Sequence, residues 1–252
     1  HDTNSSFSNF KKYQKKFNPD FDILLINGEG SIHNSNIKSK NIIEIGIWTK
    51  NVLKKKVVLF NSVFQNMSNE LIKKISYFDL IYIRDSLSHS FLNKNNIVSI
   101  YVPDIVLSFK KKIKTFSNYD HIIFTDSVFR DQTHELLKLS KEIDNSLFLP
   151  LSTSPSKKYF KTYFRFFLRY YVLKIPFIFN KYKNFDYEVQ KKYVNFDNFL
   201  KNITSSKINI CGRYHAIIFS IIYKIPFIAI KSNTHKVESL LMEIGLENRL
   251  IN

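Results

Sequence analysis

Cysteine is nearly missing from this 252-residue chain: Cys211 stands alone, so no internal disulfide can form, which fits a reducing compartment. Acidic residues are scarce as well, 21 Asp and Glu against 38 Lys and Arg, giving a formal net charge of +17. No apolar run reaches the roughly 18 residues that a membrane-spanning helix needs. The first residues show no signal-peptide pattern, and they begin on His1 rather than Met, as a trimmed or partial chain would. The seven His and the single Cys do not fall in zinc-ligand spacing, so no metal is expected. P-loop, nucleophile-elbow and recognition-helix signatures are missing, and there is no internal repeat.

What is present is apolar enough to fold. Hydrophobic residues make up 44% and aromatic residues 15%, sufficient for one large domain or two modest ones. The Lys excess is spread along the chain rather than gathered into one arm, and it accompanies abundant Asn, Ile, Phe and Tyr, the composition of low-GC coding sequence. The other reading of the charge is an anionic partner, with a membrane surface or a phosphorylated substrate ahead of nucleic acid.

Short apolar strands alternate with helical spacings. Residues 22–26 read as a buried strand ending in a tight loop, Asn27-Gly28-Glu29-Gly30, and Ile42, Ile45, Thr49, Val52 and Leu53 predict a helix over 39–54. Strands are expected at 57–60, 80–83 and 100–102, with helices at 69–75 and from an N-cap at Ser86 to Asn93. Past the basic patch Lys110-Lys111-Lys112 the pattern resumes. It predicts strands at 121–125, 147–150, 207–210 and 227–230, and helices over 130–143, after Gly212, and from a cap at Asn233 or Thr234 to Gly245. The fold class is therefore α/β, as two Rossmann-like domains facing a cleft, split as 1–112 and 113–252. Between 155 and 187, Lys157, Lys161, Arg165 and Arg169 recur every fourth residue among aromatics. That is a basic stripe suited either to the surface of an anionic membrane, through 157–171, or simply to water on a packed helix.

The chemistry concentrates in residues 211–236, CGRYHAIIFSIIYKIPFIAIKSNTHK. Arg213 and His215 fall at a helix N-terminus, where free amides and the helix dipole favour an anion. Arginine offers a planar fork for phosphate and histidine exchanges a proton near neutral pH. Gly28 and Gly30 follow a strand and precede a helix, so their amides can approach a phosphate or sugar, with Ser31 and His33 adding polar contacts. A plain βα turn would explain the same residues. Cys211 adjoins this segment, but no base pairs with it, and a small buried residue is the reading.

These stretches resemble the polysaccharide pyruvyl transferase family. Gly212, Arg213, His215, Ala216, Pro226 and Lys236 stand where that signature expects them, as do DILLINGEGSIH at 22–33 and Arg84-Asp85-Ser86-Leu87-Ser88 followed by Asp104. Glu29 departs from it, since relatives often carry Gly there. Near Asp126-Ser127 many relatives carry a basic residue for the donor phosphate, and Arg130 is the nearest here. Family members usually begin with an additional strand and Gly-rich loop. The resemblance implies a glycosyltransferase-B-like fold and transfer of a pyruvyl group from phosphoenolpyruvate to two hydroxyls of a glycan, in a cell-surface polysaccharide or its lipid-linked precursor. It implies no cofactor, an acceptor-side first domain and a donor-phosphate-side second domain. His215 is then the acid and Glu29 or His33 the base. Gly212, Arg213, Lys236, Arg130 and Asn233 hold the donor, and Gly28, Gly30 and Ser31 the acceptor. The expected location is the cytoplasm, peripheral at the inner membrane. A nucleotide-sugar-dependent glycosyltransferase is the alternative on the same scaffold, with Arg213 and His215 on the donor phosphates. A non-catalytic membrane or nucleic-acid binder is a third reading.

Overall fold

The computed structural model describes residues 10–12, 15, 20–111, 121–151 and 196–251. The basic stripe expected at 157–171 lies outside these residues. In chain order the elements are β1 (Ile23–His33), α1 (Ile37–Asn51), β2 (Lys56–Gln65), α2 (Asn69–Ile75), β3 (Leu80–Ile83), α3 (Ser86–Lys94) and β4 (Ile100–Tyr101), then a 3-10 turn at Ile105–Ser108. There follow β5 (Ile122–Phe124), α4 (Arg130–Glu142), β6 (Ser146–Phe148), α5 (Phe196–Thr204), β7 (Ile208–Cys211), α6 (Tyr214–Ile222), β8 (Phe227–Ile230), α7 (Lys236–Glu243) and β9 (Leu250–Ile251). The chain divides into two compact units, His1–Lys110 with Asn233–Leu250, and Lys111–Ser232 with Ile251–Asn252.

In the first unit the strands lie in the order β1-β2-β3-β4, with parallel pairing throughout. Alternation along each strand assigns the faces. Val57 and Leu59 of β2 and Ile81 and Ile83 of β3 point into one core, where they meet Ile43 of α1, Leu71, Ile72 and Ile75 of α2, and Leu92 of α3. Several of these are completely buried, and each such side chain stabilises the fold by at most about 1.5–3 kcal/mol.

The second unit has the order β6-β5-β7-β8-β9, with β5 pairing in parallel with β6 and β7, and β7 with β8. Helix α6 is apolar all round, and Ala216, Ile217 and Ile218 have no exposed surface, as a helix enclosed in a core requires. Buried Asn209 is satisfied: its amide donates to Ser220 Oγ (3.0 Å) and the Ile203 carbonyl (3.2 Å), and its oxygen accepts from Ser206 Oγ (2.7 Å).

Three local features differ from the sequence expectation. Strand β1 does not end in a turn at residue 27. It continues to His33 through a register shift between Glu29 and Ile32, with Glu29 in the left-handed region at φ 43°. The N-cap of α3 is Asp85 rather than Ser86, because the Asp85 carboxylate accepts from the Ser88 amide at 2.8 Å. Helix α7 is capped by His235 rather than Asn233 or Thr234, with no side-chain cap bond. The structural division also differs from the expected split in one segment. Residues Asn233–Leu250 cluster with the first unit, since Val237, Leu240 and Leu241 are buried there.

Candidate active site

Polar residues gather in the first unit around the end of β1. Gly28 is required by packing: a Cβ there would sit 2.0 Å from Ser62 Oγ. Fully buried Ser39 ties down the strand end, its hydroxyl donating to the Ser31 carbonyl (2.9 Å) and accepting from the His33 amide (3.1 Å). Gly30 is different in kind. A Cβ placed on it would meet Lys236 Nζ at 3.3 Å, a tight contact, and Arg84 Nη2 at 3.8 Å, so the glycine lets two cationic side chains pack close to β1. Lys236 and Arg84 are 8% and 3% exposed, and that enclosure gives their charge long reach. Asn233 Oδ1 accepts from Lys236 Nζ at 3.3 Å.

His33 closes this cluster. Its Nδ1 is enclosed with no hydrogen-bond partner among the described residues. Burial, then the charges of Lys236 and Lys38, hold its pKa below the usual histidine value. The imidazole is therefore neutral at pH 7. Glu29 is exposed, and its Oε1 accepts a long bond from Asn27 Nδ2 (3.4 Å).

Two further networks support the cluster. Arg84, just past β3, pairs with Asp104 through Nη1 (2.5 Å), both groups at most 2% exposed, while Asp104 Oδ1 accepts from the Val106 amide. Asp85 Oδ1 accepts from the Ser88 amide and lies 3.1 Å from His235 Nε2, with Ser88 Oγ 3.2 Å from the same nitrogen. The residue beside Lys236 is thereby tied to the start of α3. Sequence analysis places Arg84, Asp85 and Asp104 in the family signature without assigning them a role in the site. The signal available was their position at carboxyl ends of parallel strands, where open α/β sheets place ligands.

In the second unit, β7 delivers Gly212 and Arg213 to the start of α6. The Gly212 amide donates to Thr125 Oγ1 (2.9 Å), and a Cβ there would come within 2.6 Å of the Asp126 carbonyl oxygen, so only glycine fits. Arg213 is the N-cap residue, and its Nε and Nη2 both donate to Asp126 Oδ2 (2.8 and 2.6 Å), while Asp126 Oδ1 accepts from the Leu151 amide (2.7 Å). Much of the Arg213 fork is thus committed to a buried carboxylate that the sequence reading did not single out. His215 is half-buried on the first turn of α6, its ring edge-on to Tyr214 at 5.7 Å. Arg130 opens α4 in an exposed position. Cys211 is buried, and desolvation pushes its thiol up to about 12, which removes it as a nucleophile. Among the described residues no three His, Cys, Asp or Glu side chains converge as metal ligands.

The polysaccharide pyruvyl transferase profile matches residues 1–234. The chain belongs to that family. Comparison with curated proteins gives no match. Among solved structures, one described as a UDP-N-acetylglucosamine 2-epimerase from Listeria monocytogenes superposes with a TM-score of 0.50 at 11% identity. The alignment covers 94% of this chain and 64% of that protein. At that identity the likeness concerns the fold, a glycosyltransferase-B-like pair of Rossmann-like domains with parallel sheets. Among the described residues no helix is long and apolar enough to cross a membrane.

Proposed function

We propose that the enzyme transfers the pyruvyl group of phosphoenolpyruvate to two hydroxyls of one sugar, leaving a cyclic ketal and inorganic phosphate. The observation that carries this is the pair of cations packed against Gly30 with a neutral imidazole beside it. Lys236, steadied by Asn233, is the donor-binding cation of the first unit, and Arg213, its plane set by Asp126, is that of the second. Protonation of the donor's methylene carbon creates an oxocarbenium centre at the neighbouring carbon, and His215 is the acid. One sugar hydroxyl adds there and gives its proton to His33, for which Glu29 is the alternative acceptor. Breaking the carbon–oxygen bond releases phosphate, which takes the proton held by His33, and regenerates the cation; the second hydroxyl then closes the ring and returns its proton to His215. Gly28 and Ser31 line the approach on β1, and Gly212 and Arg130 belong to the donor grip in this scheme. The acceptor is a sugar of a cell-surface polysaccharide or of its lipid-linked precursor, met on the cytoplasmic side of the membrane.

Thermal melting with phosphoenolpyruvate and, separately, with nucleotides and nucleotide sugars tests the donor. Ligand at a hundred times its Kd adds about 2.7 kcal/mol to the folded state, a readable shift. A shift with a nucleotide and none with phosphoenolpyruvate overturns the proposal in favour of glycosyl transfer. His215→Ala should abolish turnover with an unchanged melting curve, and an active variant removes His215 from its role.

A further inference from the structure

The strands of the first unit pair in parallel, so the loops leading from each helix to the next strand gather at the amino-terminal edge of its sheet. Gly30 and Arg84, near the ends of β1 and β3, belong to the opposite edge. Three loops reach the amino edge: 52–55 before β2, 76–79 before β3 and 95–99 before β4. Each holds one large side chain out in water, Val52 at 59% exposure, Tyr77 at 58% and Val98 at 87%. Because β2, β3 and β4 are neighbours in the sheet, the three tips share one edge. Leu80 and Ile100, the first residues of β3 and β4, are exposed as well and extend the apolar surface. Single exposed apolar residues are ordinary, whereas a group of them on adjoining loops marks a surface that meets something.

The core beneath these tips is already filled. Phe78 is buried against Gly46, and buried Ile97 donates its amide to the Leu92 carbonyl (3.0 Å). The Leu53 amide closes the first loop on the Thr49 carbonyl (3.1 Å). Charge at this edge is one-sided. Asp79 pairs with Lys50 (2.7 Å), Asp20 with Lys55 (3.6 Å), and Glu44 and Glu70 with Lys74 (2.6 and 3.0 Å). Lys54, Lys73 and Lys94 are exposed at the same end and form no ion pair among the described residues, while exposed Asp22 opposes them. A lysine at a helix end answers the helix dipole, which accounts for Lys73 and Lys94 but for none of the apolar tips. Apolar tips among surplus lysines match a surface that is greasy within and negative outside, the make-up of an anionic bilayer.

We propose that the amino edge of the first unit docks on an anionic lipid bilayer: Val52, Tyr77 and Val98 enter the headgroup layer, and Lys54, Lys73 and Lys94 meet the lipid phosphates. This surface is separate from the basic stripe at 157–171 and does not depend on which donor the enzyme uses.

The experiment is sedimentation of the whole protein with vesicles of phosphatidylglycerol mixed equally with phosphatidylcholine, and with vesicles of phosphatidylcholine alone. Wild-type protein should bind the mixed vesicles about tenfold more tightly or better, a difference that shrinks as salt shortens the screening length. Val52→Ser, Tyr77→Ser and Val98→Ser together should weaken binding about tenfold or more at low and high salt alike. The melting temperature should not change, because the replaced groups stand in water. Lys54→Gln, Lys73→Gln and Lys94→Gln together should weaken binding about tenfold on the mixed vesicles and leave phosphatidylcholine binding as it was. A folded serine variant that binds as tightly as wild type overturns the proposal and transfers lipid binding to 157–171. If the serine variant does not fold, the glutamine variant decides: equal binding to the mixed vesicles overturns the surface. Wild-type protein that ignores both vesicles overturns it outright. A self-associated wild type that the serine substitutions turn monomeric, with no lipid binding, assigns the edge to a second copy of the chain instead.

Discussion

His33 joins the electrostatics of the site to a measurable pH dependence. Its folded-state pKa lies below the ordinary value of about 6.5, first through burial and then through Lys236 and Lys38. The unfolded chain binds that proton more readily, so the stability His33 contributes is complete above about 6.5 and shrinks as pH falls through the lowered value. The same sign governs catalysis: the acid limb of kcat/KM should lie below about 6.5, where the neutral base is lost. His33→Gln should cost about a hundredfold or more in rate and abolish that limb. A pH–rate profile that keeps its acid limb in the variant transfers the base to Glu29. Among single residues, the glycines at 28, 30 and 212 and the pair Arg213 and His215 were readable from sequence as a signature. Asp126 was not, because its link to Arg213 spans 87 positions and arises only when β5 and β7 pair.

At the scale of elements, α7 matters beyond its eight residues because it carries Lys236 on its first turn. Its start is tied to α3 through His235 and Asp85, and its end through Glu243, which accepts from the Ser86 amide (2.7 Å) and the Tyr101 hydroxyl (2.7 Å). Burial and the Glu243 carboxylate raise the Tyr101 pKa, so that hydroxyl keeps its proton and remains a donor. Asp85→Ala removes both the α3 cap and the partner of His235. It should destabilise the protein by about 1–2 kcal/mol, measured by denaturant unfolding. It should also speed amide exchange at the starts of α3 and α7 and weaken phosphoenolpyruvate binding. Unchanged exchange at α7 would show that His235 plays no anchoring part. Most elements were legible: the periodicity predicts α2, β3 and β8 at their observed bounds. The continuation of β1 through residues 28–30 was not, because a Gly-Glu-Gly run signals a turn locally, whereas pairing with β2 up to Gln65 keeps it extended.

The whole molecule interleaves its two units along the chain, since residues Asn233–Leu250 return to the first unit. Their removal strips buried Val237, Leu240 and Leu241 from that unit, each worth at most about 1.5–3 kcal/mol, and takes Lys236 with them. A chain ending at Ser232 should therefore lose cooperative unfolding of the first unit and all response to phosphoenolpyruvate. Retention of a wild-type melting curve would show that the segment is dispensable to the fold.

Composition, alternation and turn residues determined by themselves that this is an α/β protein with two parallel sheets, because strand and helix periodicities are local properties of the chain. The ordered motifs determined its family, since spacing is written in sequence. Tertiary structure alone decided which charges meet. Gly30, Arg84 and Lys236 converge from β1, the end of β3 and the start of α7, positions 30, 84 and 236. Arg84 is aimed by Asp104 twenty residues on, and Arg213 by Asp126. A side chain's partners are set by strand order and helix packing, and a one-dimensional pattern does not carry that information.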